Sequence, residues 1–166
     1  MLHDSVIFDS SVIIDMCLVD EWGWFKKHYA KLCVAELLLL EDKLGSKEKN
    51  CISQHFISLD FSSDEEFNLF SQLSERYAGL SRADRATITL SKTRMLECAS
   101  DDGKMVKTCE LMGIKVIRTL NILSEMNETG FKGKAECCRI VKELRGKKRN
   151  KFLTDQVVSQ WENELK

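Results

Sequence analysis

A chain of 166 residues is long enough for one domain with a sizeable core, and 43% hydrophobic with 31% charged residues is the balance of a globular protein in water. The net charge of -1 excludes a global basic field, so a nucleic-acid partner would need a local basic patch. Seven cysteines form no C-x-x-C pair and no zinc-ribbon spacing, and they read as reduced thiols in a cytosolic core.

Taken in chain order, MLHDS has no basic n-region and no long apolar stretch, and LLLL (37–40) is too short to span a bilayer. A cytoplasmic protein without membrane attachment is expected. Val6 to Phe8 reads as a short buried strand. Residues 11–27 follow with helical spacing at Val12, Met16, Val19 and Phe25, and 31–34 reads as a second strand. AELLLLEDKL (35–44) is composed of strong helix formers and is expected to be a helix, closed by Gly45 and the polar SKEKN. HFISLDF (55–61) alternates like a strand. Ser63 and Glu66 form a capping box before a helix carrying Phe67, Phe70, Leu73 and Tyr77, which Gly79 ends. A helix over 81–94, a strand over 95–100, a helix over 103–112 and a last strand over 114–117 complete the pattern. Strands alternating with helices over about 120 residues predict an α/β fold with a mainly parallel sheet. After NETGFKGK the composition shifts, and 126–166 reads as a helical appendage with a basic stretch, RGKKRNK (145–151). Proline is absent, for which the sequence offers no functional reason.

In an open α/β sheet ligands sit beyond the C-terminal strand ends. Asp9 follows the first strand, and Asp101 and Asp102 follow the strand over 95–100. Asp84 lies in the first turn of the preceding helix, and Glu41 could reach the same rim from the segment after the second strand. Carboxylates packed together repel unless a cation neutralises them. Oxygen-only ligation suits Mg²⁺ or Mn²⁺. Such an ion acidifies and orients water and stabilises charge on a phosphate, which is the chemistry of phosphodiester hydrolysis. Singly, each acid has an ordinary reading: Asp9, Asp84 (in an S-x-x-D box with Ser81) and Asp102 as helix caps, Glu41 and Glu36 as solvated helix residues. Their common placement at one rim favours the functional one.

VIFDSS, the acid-bearing AELLLLE, LSRADRATITLSK and CASDD followed by GIKVIRTLNIL resemble, in that order, the PIN-domain nucleases, in the branch with toxin-like and VapC-like ribonucleases. The likeness runs over residues 4–125. It implies a PIN-like three-layer sandwich over 1–125, with the helical extension 126–166 packed on the same domain. It further implies a metal-dependent endoribonuclease acting on single-stranded or structured RNA with Mg²⁺ or Mn²⁺. Asp9 matches the first acid and Ser11 its supporting hydroxyl. Asp84 matches the third acid. Asp102 fits the acid of a T-x-D pattern in which Ser100 replaces threonine, with Asp101 close enough to ligate. Glu41 fits the second acid better than Glu36. Thr119 stands at a Gly-Thr position whose glycine is here Arg118. Arg82, Arg85, Lys104 and the 145–151 segment are the candidate RNA contacts, the last also reading as a solvated loop. A homodimer and a small neutralising antitoxin protein are the partners the toxin-like branch implies.

Rival readings fit less well. A HAD-type phosphotransfer site wants D-x-D, but Ser11 holds the third position. A receiver domain wants its acid pair early in the chain. G-x-S-x-G and the P-loop signature are both missing. The second class that remains is a PIN-like fold without activity, serving as a binding module.

Overall fold

A computed structural model of the chain describes residues 3–146 and 151–166. Its elements run β1 (His3–Phe8), α1 (Ser10–Val19), α2 (Trp22–His28), β2 (Tyr29–Ala35), a 3₁₀ turn (Glu36–Leu40), α3 (Ser46–His55), β3 (Ile57–Leu59), α4 (Asp64–Arg76), α5 (Arg82–Thr93), β4 (Glu97–Ala99), α6 (Gly103–Leu111), β5 (Val116–Ile117), α7 (Thr119–Glu128), α8 (Lys134–Gly146) and α9 (Asp155–Glu164). The five strands form one parallel sheet in the order β3-β2-β1-β4-β5. Chain direction across the sheet reverses between β1 and β4, and a crevice opens there, outside their carboxyl ends.

The period-two geometry of the strands sorts their side chains to two faces. Val6 and Phe8 of β1, Leu32 and Val34 of β2 and Ala99 of β4 join the core under α1, α2, α7 and α8. Ile7, Cys33 and Ala35 face Ala86 and Leu90 of α5, and Cys98 packs with Met105 and Cys109 of α6. Helices therefore cover both faces, and the expected α/β architecture with a parallel sheet is what the chain adopts. Leu144, Val158 and Trp161 share the core of α1 and α7.

Four expectations need correction. The helix expected over 11–27 breaks at Asp20, which closes α1 in the left-handed region (φ 54) with its N–H on the Met16 carbonyl. A short polar side chain tolerates that geometry. The helix expected over 35–44 is only the 3₁₀ turn. Four consecutive leucines have no single apolar face, and Leu38 alone is fully buried while Leu40 is 76% exposed. Tertiary packing overrides helix propensity here. The polar closure after it is instead the start of α3, a helix anchored by Ile52. The strand expected over 95–100 starts at 97, because Met95 (φ 56) and Leu96, whose N–H bonds the Ser91 carbonyl, finish the cap of α5.

At the sheet end opposite the crevice, His3 ties three elements. Its Nδ1 lies 3.0 Å from Glu97 Oε2 and its Nε2 lies 2.6 Å from Glu125 Oε1. The ring stacks on Tyr29 at 4.7 Å. The ring thus joins two acids from β4 and α7 to the start of β1. Replacing His3 with alanine should cost about 2 kcal/mol, since two largely buried carboxylates lose their hydrogen-bond partner. Thermal unfolding followed by circular dichroism checks this, and a melting temperature within a degree or so of wild type would contradict it.

Candidate active site

The crevice between β1 and β4 is organised around Asp9, the residue that ends β1 and caps α1. It is 2% exposed. Its Oδ1 accepts the Ser10 N–H at 2.7 Å, and its Oδ2 accepts hydroxyls from Ser11 at 3.1 Å and from Ser100 at 2.8 Å. Ser100 follows β4, so one hydroxyl ties the two central strand ends together. The expected supporting roles of Ser11 and Ser100 correspond to these bonds. Burial pushes the Asp9 carboxyl up to about 6, and the charge of Asp84 adds to the rise against the three hydrogen bonds.

Asp84 sits in the first turn of α5 and forms the capping box with Ser81: its Oδ2 accepts the Ser81 N–H at 2.9 Å, and its own N–H donates to Ser81 Oγ at 3.1 Å. Ser81 Oγ in turn donates to Glu41 Oε1 at 3.0 Å. That bond draws Glu41, half-buried at the end of the 3₁₀ turn, to Asp84. Glu36 is exposed one turn earlier. Of the two candidates for a second acid, Glu41 is the one joined to the other acids. Asp102 caps α6, its Oδ1 accepting from Lys104 and Met105 N–H, while its own N–H donates to Ser100 Oγ at 3.2 Å. Glu41, Asp84 and Asp102 are thus each held by one carboxylate oxygen, with the second oxygen outside those bonds.

Asp101 turns the other way. Its Oδ1 accepts the Thr119 N–H at 3.0 Å, its carbonyl accepts from Arg118 at 3.1 Å, and its N–H donates to Ser11 Oγ at 3.1 Å. It fastens β4 to α7 through these bonds. Thr119 Oγ1 reaches Asp15 Oδ2 at 3.2 Å, so its supporting role is to Asp101 and Asp15. Among the described residues, no three acidic, histidine or cysteine side chains close into a ready-made metal cage. The inward turn of Asp101 and the capping bonds of Asp102 account for that. The donor set still fits a hard divalent cation: it is all oxygen, and Asp9 is a buried anion facing a second carboxylate.

The candidate RNA contacts separate. Arg82 is exposed at the start of α5. Lys104, on the first turn of α6, extends its amine over Gly79, where a Cβ would meet it at 2.8 Å. Arg85 instead lays its guanidinium on the Phe70 ring at 4.5 Å. In the basic segment, Arg145 pairs with Asp155, Lys151 lies over Phe152 at 5.3 Å, and 147–150 lie outside the described residues. Two functional positions escape the sequence reading. Ser81 looks like a cap only, and nothing local reveals its bond to Glu41. Asp15 does leave a signal: a charge inside the apolar run VIIDMCLV, only 1% exposed.

The Asp9 shift fixes the sign of a pH effect. A folded-state value near 6, above the ordinary 3.8, means that the contribution of Asp9 to stability is complete below about 4 and is lost as pH rises through about 6. Above that range the cation-free protein is destabilised by about 3 kcal/mol. Asp9→Asn should therefore raise the cation-free melting temperature at pH 7 and have little effect at pH 4. Equal shifts at both pH values would show that burial of the charge is not what Asp9 experiences.

Comparison with known proteins agrees with this architecture. The family model described as "DUF3368: PIN domain" matches residues 5–166. The crystal structure of PAE2754 from Pyrobaculum aerophilum is similar with a TM-score of 0.52 at 16% identity, covering 71% of this chain and 91% of that one, which is a likeness of fold. No curated protein matches. No helix among the described residues is long and apolar enough to cross a membrane. With the family model spanning nearly the whole chain, the protein belongs to the PIN-domain family DUF3368.

Proposed function

We propose that the chain is a divalent-metal-dependent endoribonuclease that hydrolyses phosphodiester bonds of single-stranded or structured RNA, with Mg²⁺ or Mn²⁺ held by Asp9, Asp84 and Asp102 and with Glu41 ligating directly or through water. PIN domains are in general nucleases, and the finer reading rests on one observation. Asp9 is a buried carboxylate at the sheet's switch point, facing Asp84, with hydroxyls and an amide around it and no cation of its own. A bound divalent ion would supply an acidified, oriented water and charge stabilisation on the phosphate. The chain's part is to hold that ion and the substrate in register. Ser11 and Ser100 fix the plane of the Asp9 carboxylate. Ser81 sets Glu41 against Asp84. Arg82 and Lys104 are exposed beside the acids and suited to backbone phosphates. The same reading has the protein act in the cytoplasm. A small neutralising protein and a second copy of the chain are its candidate partners, on the analogy of toxin-like relatives.

The test is cleavage of a mixed RNA pool with Mg²⁺, with Mn²⁺ and with EDTA. Cutting should need the metal and fall on the order of a hundredfold or more in Asp9→Asn and Asp84→Asn. Asp101→Asn, which loses a staple and no ligand, should fall less. If wild type cuts nothing and Mn²⁺ raises its melting temperature no more than it raises that of Asp9→Asn, the chain is a binding module. Ser100→Ala provides a finer check. Removing a bond that lowers the Asp9 pKa should move the acid limb of the pH–rate profile upward.

A further inference from the structure

Beside the acid rim, α7 and α9 enclose a cleft of about 240 Å³. We propose that this cleft is a base pocket that takes an unpaired RNA base next to the phosphate being cut, an assignment that rests on the nuclease reading above. Position is the first argument. Asp101 forms one wall of the cleft, and its N–H bonds the Ser11 hydroxyl that also holds Asp9. Asp101 and the Ser11 hydroxyl thus link the cleft wall to the central carboxylate.

Size and chemistry are the second. Pockets for drug-sized ligands run roughly 300–1,000 Å³, so this one suits a single ring system. Leu120, Leu153 and Trp161 give it an apolar lining. The Trp161 ring is fixed in place, with its Nε1 donating to Ser124 at 2.8 Å. The charged groups are Asp101 and Glu164 against the single Arg118. Arg118 is paired with Asp101, which leaves Glu164 as the remaining charge of the lining and disfavours a phosphate inside the cleft. This lining favours a neutral flat group with N–H donors, as a base has on its Watson–Crick edge. Arg118, paired with Asp101 at 3.8 Å, keeps 45% of its side chain exposed and opposes a lysine or arginine side chain from a protein partner. Single-stranded RNA bases are held by apolar and aromatic contacts and by hydrogen bonds to their edges.

The experiment measures RNA binding by fluorescence anisotropy in the Asp9→Asn background with Mg²⁺, so that the strand stays intact. An abasic site is walked along a short single-stranded RNA. One position should stand out, with base loss weakening binding about tenfold. Adding Val157→Trp, which fills the cleft from an exposed position on α9, should abolish that position's effect. Gln160→Ala, on the same wall and exposed, should diminish it without risk to the fold. A flat abasic scan, or a scan unchanged by both substitutions, overturns the proposal. So does displacement of the RNA by an arginine-bearing peptide that Val157→Trp excludes, which would make the cleft a protein-docking site. Cutting by wild type is scored separately. Base-sensitive binding without cutting removes the nuclease reading and leaves the pocket, and cutting with a flat scan does the reverse.

Discussion

The site depends on a carboxylate held in the protein interior at the end of a central strand. Asp9 cannot move toward water, because its neighbours on both sides are core: Phe8 before it and Val12 one turn after it are fully buried. The parallel pairing of β1 with β4 brings Ser100 to the same level, and the start of α1 presents an amide and a second hydroxyl. Helix N-termini favour anions, and each hydrogen bond to a carboxylate lowers its pKa. These contributions fall short, since burial still leaves the group near 6. The sheet thus imposes a local electrostatic demand that its own side chains do not meet.

Around Asp9 the acids separate into two roles, and short hydroxyl side chains decide which acid takes which. Ser81 and the cap of α6 orient Glu41, Asp84 and Asp102 while engaging one oxygen of each. Thr119 draws Asp101 and Asp15 inward, where they join β4, α1 and α7. The adjacent pair Asp101–Asp102 thus has two separate sets of partners. Strand-end geometry sends neighbouring side chains to opposite sides, so one becomes part of the frame and the other remains at the rim.

Much of this was legible in the sequence, for definite reasons. Strand-then-acid is a local pattern, so VIFD and CASDD located both halves of the crevice. The S-x-x-D box at Ser81 and Asp84 is likewise local, and it forms as written. What escaped depends on contacts distant in sequence. Glu41 and Ser81 lie 40 residues apart, and Thr119 and Asp15 lie 104 apart. The leucine run 37–40 misled because composition states a preference for helix but not which leucine the core will accept. The α3 helix went unread because SKEKNCISQH offers Ile52 as its one fully apolar anchor. Arg85 looked like a phosphate contact, and only the packed position of Phe70 shows that it stacks instead.

Several other buried or half-buried acids have a cationic partner within the chain. Glu66 is held below the usual carboxylate range by its hydrogen bond with Arg94. Glu97 has Lys115, and Glu21 and Glu136 share Lys132. In these places the chain meets a buried or half-buried negative charge with a positive one of its own. Asp9 is more deeply buried than any of them, faces Asp84 instead of a cation, and among the described residues is the partner of no lysine, arginine or histidine. Arg82 and Lys104 are near in sequence to the rim acids yet exposed, and neither pairs with Asp9. Asp9 is met by an amide and two hydroxyls, so a cation from outside the chain would complete its surroundings. The oxygen-only surroundings match a small hard ion better than an amine.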